Sequence, residues 1–94
     1  MMSSNMPGLI DAHVGRQLKA RRQHLRLKQA DVARALQVSI QQVHKYETAK
    51  SSLAAMKLLV LSRALGVKPA YFFAGLEAAQ AVRVSARSGK PALV

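Results

Sequence analysis

From Gln29 to Glu47 the apolar positions fall at helical spacing in two short runs separated by a break. Val32, Ala33 and Leu36 share one face of the first run, Val43 and Tyr46 share one face of the second, and Val38 lies between them. The spacing predicts one helix from about Gln29 to Leu36 and another from about Ile40 to Glu47, joined by a tight turn that Val38 plugs. Ser39 suits the N-cap of the second, because its hydroxyl oxygen can accept a backbone N–H of the first turn. Upstream, Val14, Leu18 and Leu25 recur on one face of a helix that starts near Asp11, itself suited to an N-cap. Downstream, Leu53, Met56, Leu58, Leu59, Val60, Leu61, Ala64 and Leu65 predict a fourth helix from about Leu53 to Leu65. Its apolar face is wider than one core-facing stripe requires. Gly66 stands where a helix C-terminal glycine is expected, and Pro69 suits the first turn of a short fifth helix holding Tyr71, Phe72, Phe73 and Leu76.

The pattern therefore reads as an all-α chain of five helices, with no strand required. Residues 1–10 read as a flexible N-terminal arm, 11–77 as one compact domain, and 78–94 as an extension that is partly helical and frays into a basic, disordered tail. Half of the 94 residues are hydrophobic, which suffices for a small core without staples. With no cysteine, neither a disulfide framework nor a thiolate metal site is available. The first residues lack the charged and apolar regions of a secretory signal, and apolar runs such as Leu58 to Leu61 are far too short to span a membrane.

What the second short helix leaves exposed changes the picture. Gln41 and Gln42 carry amides that can pair with adenine, Lys45 is a cation that reaches guanine or phosphate, and His44 lies beside them. Ile40 either reaches a thymine methyl group or packs against the fold. Lys and Arg number 15 against 4 acidic residues, a formal charge of +11, and such a balance favours a polyanionic partner. Nucleic acid fits better than a membrane surface, since the helices carrying these charges need their apolar faces for a core. The three histidines are not at metal-ligand spacing and the carboxylates are scattered. No metal, cofactor or catalytic set is expected, and the chain does not read as an enzyme.

These residues resemble the Cro and lambda-repressor type of helix-turn-helix regulator, the Xre family, over roughly Val14 to Leu76. The likeness is carried by Val-Gly-Arg-Gln-Leu-Lys-Ala-Arg-Arg (14–22), Gln29, Val-Ser (38–39), Gln-Gln-Val-His-Lys-Tyr-Glu (41–47), and Ser-Arg-Ala-Leu-Gly-Val (62–67) before Phe72 and Phe73. It implies a compact lambda-repressor-like domain in which helices two and three form the helix-turn-helix and helix three lies in the major groove. It implies base reading by Ser39, Gln41, Gln42 and Lys45. Phosphate contact is implied for Gln29 and expected for Arg22, Lys28, His44, Thr48 and Lys50, with Ser51 a further candidate and Arg16 and Lys19 minor ones. An Arg22–Glu47 pair would brace the reading helix against the scaffold. Three positions depart from the family: Gln37 replaces the usual turn glycine and must accept a positive φ, Lys28 replaces a Ser or Thr cap, and Ala49 replaces a glycine.

The function expected from this reading is a sequence-specific transcriptional regulator, most simply a repressor, binding double-stranded DNA as a homodimer on an inverted repeat. It would be cytoplasmic and nucleoid-associated, of prokaryotic or phage type. Two alternatives stand beside it: a protein-interaction module, such as an antitoxin or adaptor holding a protein partner through its C-terminal tail, and an architectural protein that coats DNA without sequence preference.

Overall fold

The computed structural model describes residues 5–76. Four α-helices, α1 (Asn5–His24), α2 (Gln29–Leu36), α3 (Ile40–Glu47) and α4 (Ala55–Leu65), are followed by a 3-10 helix, Pro69–Phe73, and no strand occurs among the described residues. The expected fifth helix is thus present but wound more tightly. Helices α2 and α3 pack on each other, α1 lies across α3 and the 3-10 helix, and α4 packs on α2 and the 3-10 helix. Between them Leu18, Val32, Val43, Leu61, Leu65 and Phe72 are almost completely buried, with Val14, Ala33, Leu36 and Tyr46 completing the core.

Helix α1 begins at Asn5, not near Asp11, so residues 5–10 are part of the first helix instead of preceding it. Pro7 lies in the first turn, where its missing N–H costs no hydrogen bond. Ile10 then packs against the core. Asp11 is consequently not a cap; its carboxylate instead accepts the Ser52 hydroxyl proton at 2.6 Å, tethering the loop before α4. That loop extends through Leu53 and Ala54, so α4 starts at Ala55 while Leu53 is tucked half-buried against the core. The proposed extension 78–94 lies outside the described residues.

All four α-helices end in one manner. Arg26, Gln37, Ala49 and Gly66 have φ of 60°, 57°, 64° and 68°. The residue after each donates its N–H five positions back, as in Leu27 to Arg22 O (3.0 Å), Val38 to Ala33 O (3.0 Å), Lys50 to Lys45 O (2.8 Å) and Val67 to Ser62 O (2.9 Å). This is the Schellman arrangement, in which a left-handed residue turns the chain and an apolar residue just beyond it packs back. Leu27, Val38 and Val67 do that packing. The left-handed residue at Arg26 also explains Leu25, which was expected on the core face of the first helix: α1 stops at His24, Leu25 is 37% exposed, and Leu27 takes the inward place.

One buried ion pair ties three of these elements together. Arg22 Nε donates to Glu47 Oε2 at 2.7 Å and Nη2 to Oε1 at 3.1 Å, while Nη1 donates to the Leu27 carbonyl at 2.9 Å. The same Glu47 oxygen Oε1 accepts the Gln29 amide at 3.0 Å. The last turn of α1, the α1–α2 turn, the first residue of α2 and the last residue of α3 are therefore held at one carboxylate. On the same C-terminal half of α1, Gln17 and Tyr71 exchange bonds of 2.8 and 3.1 Å with each other's backbone carbonyls, and Arg21 Nε donates to Leu65 O at 2.9 Å.

Two outcomes follow for stability. Glu47→Ala leaves the Arg22 guanidinium buried without its partner and lowers unfolding free energy by about 3–5 kcal/mol in urea denaturation. Replacing both residues by methionine recovers most of that loss, whereas a single-variant loss below about 1 kcal/mol would show the pair to be solvent-screened. Gln37→Gly removes the left-handed penalty of a side chain, about 1 kcal/mol net of glycine's greater chain entropy, and raises Tm by about 4–8 °C. An unchanged or lower Tm would show that the turn stores no strain.

Candidate nucleic-acid interface

Helix α3 is amphipathic over only eight residues, and its two sides differ in kind. Val43, Tyr46 and Glu47 are buried against α1 and α2, whereas Ser39, Ile40, Gln41, His44, Lys45 and Thr48 are exposed and Gln42 is half-buried. Helical spacing puts Gln41, Lys45 and Thr48 in the middle of the exposed arc, with Ile40 and His44 one turn apart along one edge and Gln42 along the other. No hydrogen bond within the described residues engages the side chains of Gln41, Gln42 or Lys45. Their donors and acceptors are therefore not engaged within the described residues.

The helix is fixed from both ends. At its start the Ser39 oxygen accepts the Gln42 N–H at 3.0 Å, and since the hydroxyl only accepts in that bond, its proton remains available to a phosphate or base acceptor. At its finish, the Glu47 carboxylate is clamped by Arg22 and Gln29. Gly15 adds a constraint that pattern reading passed over. A Cβ there would lie 2.5 Å from the Tyr46 carbonyl oxygen and 3.0 Å from that of Glu47, so only glycine lets α1 approach the last turn of α3 this closely. The signal available was a lone glycine inside a helical pattern.

The phosphate candidates divide by how much freedom their groups retain. Lys28 and Lys50 are exposed and flank α3 on its two sides in sequence, one at the start of α2 and one in the turn after α3. Lys28 cannot cap α2 as an acceptor; the Asp31 carboxylate does so, taking the Lys28 N–H at 2.8 Å and also bonding Arg34 at 3.2 Å, so the lysine amine is released outward. Gln29 is half-buried with its amide N–H on Glu47. Thr48 donates its hydroxyl proton to the His44 carbonyl at 2.8 Å, and Arg22 is only 9% exposed with three of its N–H groups engaged internally. For these last two the geometry favours support of α3 over contact with a phosphate. Arg16, Lys19 and Arg26 are exposed on α1 and its turn.

Among the described residues no group of three or more His, Asp or Glu side chains could hold a metal ion, and no helix is long and apolar enough to cross a membrane. A second exposed feature lies away from α3. Met56, Leu59 and Val60 are 71%, 41% and 40% exposed on α4, the outward half of the wide apolar face, and Phe73 is also exposed on the 3-10 helix.

The geometry agrees with comparisons to known proteins. The family model for a helix-turn-helix domain matches residues 13–71. An uncharacterized transcriptional regulator in the ATPase CF(0) region of Rhodospirillum rubrum is 43% identical over 68 residues, 72% of this chain and 63% of that protein. An uncharacterized HTH-type transcriptional regulator of Sinorhizobium fredii is 40% identical over 67 residues, 71% of this chain and 47% of that protein. The chain thus spans from about half to under two thirds of the length of these curated relatives. Among solved structures, the restriction-modification controller protein C.AhdI from Aeromonas hydrophila has the same fold, with a TM-score of 0.63 at 22% identity, covering 67% of this chain and 96% of that one. On the family match and the relatives, the chain belongs to the helix-turn-helix domain family.

Proposed function

We propose that the protein is a sequence-specific transcriptional regulator that inserts α3 into the major groove of double-stranded DNA. The observation that carries this reading is the exposed arc of α3: Ser39, Gln41, Gln42 and Lys45 present unengaged hydrogen-bonding groups on a helix whose other side is buried and braced. Glutamine amides suit adenine, and lysine suits guanine or phosphate. Lys28 and Lys50, with lesser contributions from Gln29 and His44, hold the backbone, and the net charge of +11 adds sequence-independent affinity through counterion release.

One eight-residue helix reads only a few base pairs. A homodimer on an inverted repeat, with half-site centres about 10 bp apart, doubles the contact and is the arrangement proposed here. The exposed apolar residues of α4, which packs chiefly on α2 and the 3-10 helix, support an assembled state. Repression by occluding polymerase at such an operator is the simplest outcome, in the cytoplasm and on the nucleoid.

Selection of bound duplexes from a random pool at about physiological salt tests the reading, because nonspecific affinity is suppressed there. A two-fold symmetric consensus is the expected result. Absence of any enriched motif, with binding that vanishes as salt rises, would instead favour an architectural DNA-coating role. On the selected duplex, Gln41→Ala loses about 1–3 kcal/mol of discrimination at one base pair per half-site while nonspecific binding is retained. An equal loss on every sequence would refute base reading by Gln41. Lys28→Ala weakens binding to all duplexes alike and lowers the slope of log affinity against log salt by about one for each subunit bound. An unchanged slope would remove Lys28 from the phosphate contacts.

A further inference from the structure

On the otherwise polar reading face, one side chain has no polar chemistry. Ile40 is 50% exposed in the first turn of α3, and it belongs neither to the core nor to the partly buried residues packed against it. Helix formation does not call for it either, since a β-branched residue is a weaker helix former than the glutamines that follow. The exposed apolar residues Met56, Leu59 and Val60 belong to a different helix, α4, which packs chiefly on α2 and the 3-10 helix. Ile40 thus stands beside Ser39 and Gln41 with its aliphatic branch open to whatever the arc faces.

We propose that Ile40 is a specificity-determining residue that reads a thymine by seating its side chain on the C5-methyl group. The inference rests on the major-groove reading of α3 given above and deepens it by naming one base that the site selects. In the major groove the thymine C5-methyl is the only methyl group that a base presents; the other edges offer mainly hydrogen-bond donors and acceptors. Against thymine, Ile40 buries a methyl and part of its own surface. Against guanine, adenine or cytosine it strips water from a polar edge and returns no hydrogen bond. The same side chain therefore favours one base and penalises three, and it does so next to Gln41, whose amide suits adenine. The pair directs the operator half-site toward A·T-rich sequence at neighbouring positions.

Deoxyuridine isolates this contact, because it keeps the pairing and the O4 acceptor of thymine and lacks only the methyl group. With the full chain and the duplex obtained by selection, each thymine is replaced by deoxyuridine in turn and affinity is measured for wild type and for Ile40→Ala. The expected result is one position per half-site where the replacement weakens wild type roughly fourfold, the effect of about one methyl's burial, while Ile40→Ala is indifferent to it. Ile40→Val, which keeps the β-branch, serves as a second variant and retains part of the discrimination. The proposal is overturned if no thymine is sensitive in wild type, or if the sensitive thymine is equally sensitive in both variants. Failure of the selection itself to yield a consensus overturns the major-groove reading instead, and Ile40 with it, so the two failures are distinguished.

Discussion

The position of the reading helix depends on one buried carboxylate. Glu47 is the last residue of α3, and two chemically different donors converge on its carboxylate, the Arg22 guanidinium from α1 and the Gln29 amide from α2, while Arg22 also donates to the Leu27 carbonyl in the turn between them. A bidentate guanidinium–carboxylate pair fixes orientation as well as distance, which a single ammonium would not. Its contribution to net stability is small relative to an apolar replacement, but removing one member is costly. The asymmetry makes the pair a device for geometry. It sets where α3 lies relative to the two helices behind it, and Gly15 sets how closely α1 can lie against the final turn.

With the inner side so constrained, the outer side can remain chemically incomplete. Buried side-chain polar atoms among the described residues all have partners, while Gln41, Gln42 and Lys45 on the surface of α3 have none within them. Such a division keeps the unfolded and folded states similar in how these outer groups are hydrated, so leaving them free costs the fold little. It also means that a ligand meets side chains whose hydrogen bonds need not first be broken. Arg22 and Thr48 illustrate the converse: both lie near the reading helix, but their donors already serve it.

Much of this was legible in the sequence because it is written in periodicity. The buried positions Val32, Ala33, Leu36, Val43 and Tyr46, the Ser39 cap, the Gly66 turn and the Arg22–Glu47 pairing all coincide with expectation. What pattern reading missed depends on backbone conformation or on approach between elements. Residues 5–10 precede the apolar period that begins at Val14 and so read as an arm, although α1 already includes them. Leu25 fits the apolar period of α1, but the left-handed conformation at Arg26 ends the helix first and passes the inward place to Leu27. Gly15 carries no side chain to betray its role, which is visible only once the α3 carbonyls are placed above it. The functional assignments of Lys28, Lys50 and the exposed arc are questions of contact with another molecule, and a sequence states the chemistry of those groups without their partner.

The left-handed helix ends have a further bearing on the life of the protein. Three of the four are occupied by Arg26, Gln37 and Ala49, residues with a Cβ where a glycine would be at ease. Each kilocalorie per mole held in these turns raises the unfolded fraction by about fivefold, and it is the unfolded fraction that proteases degrade. The backbone angles of three residues therefore bear on the size of the unfolded fraction, the form that proteases attack.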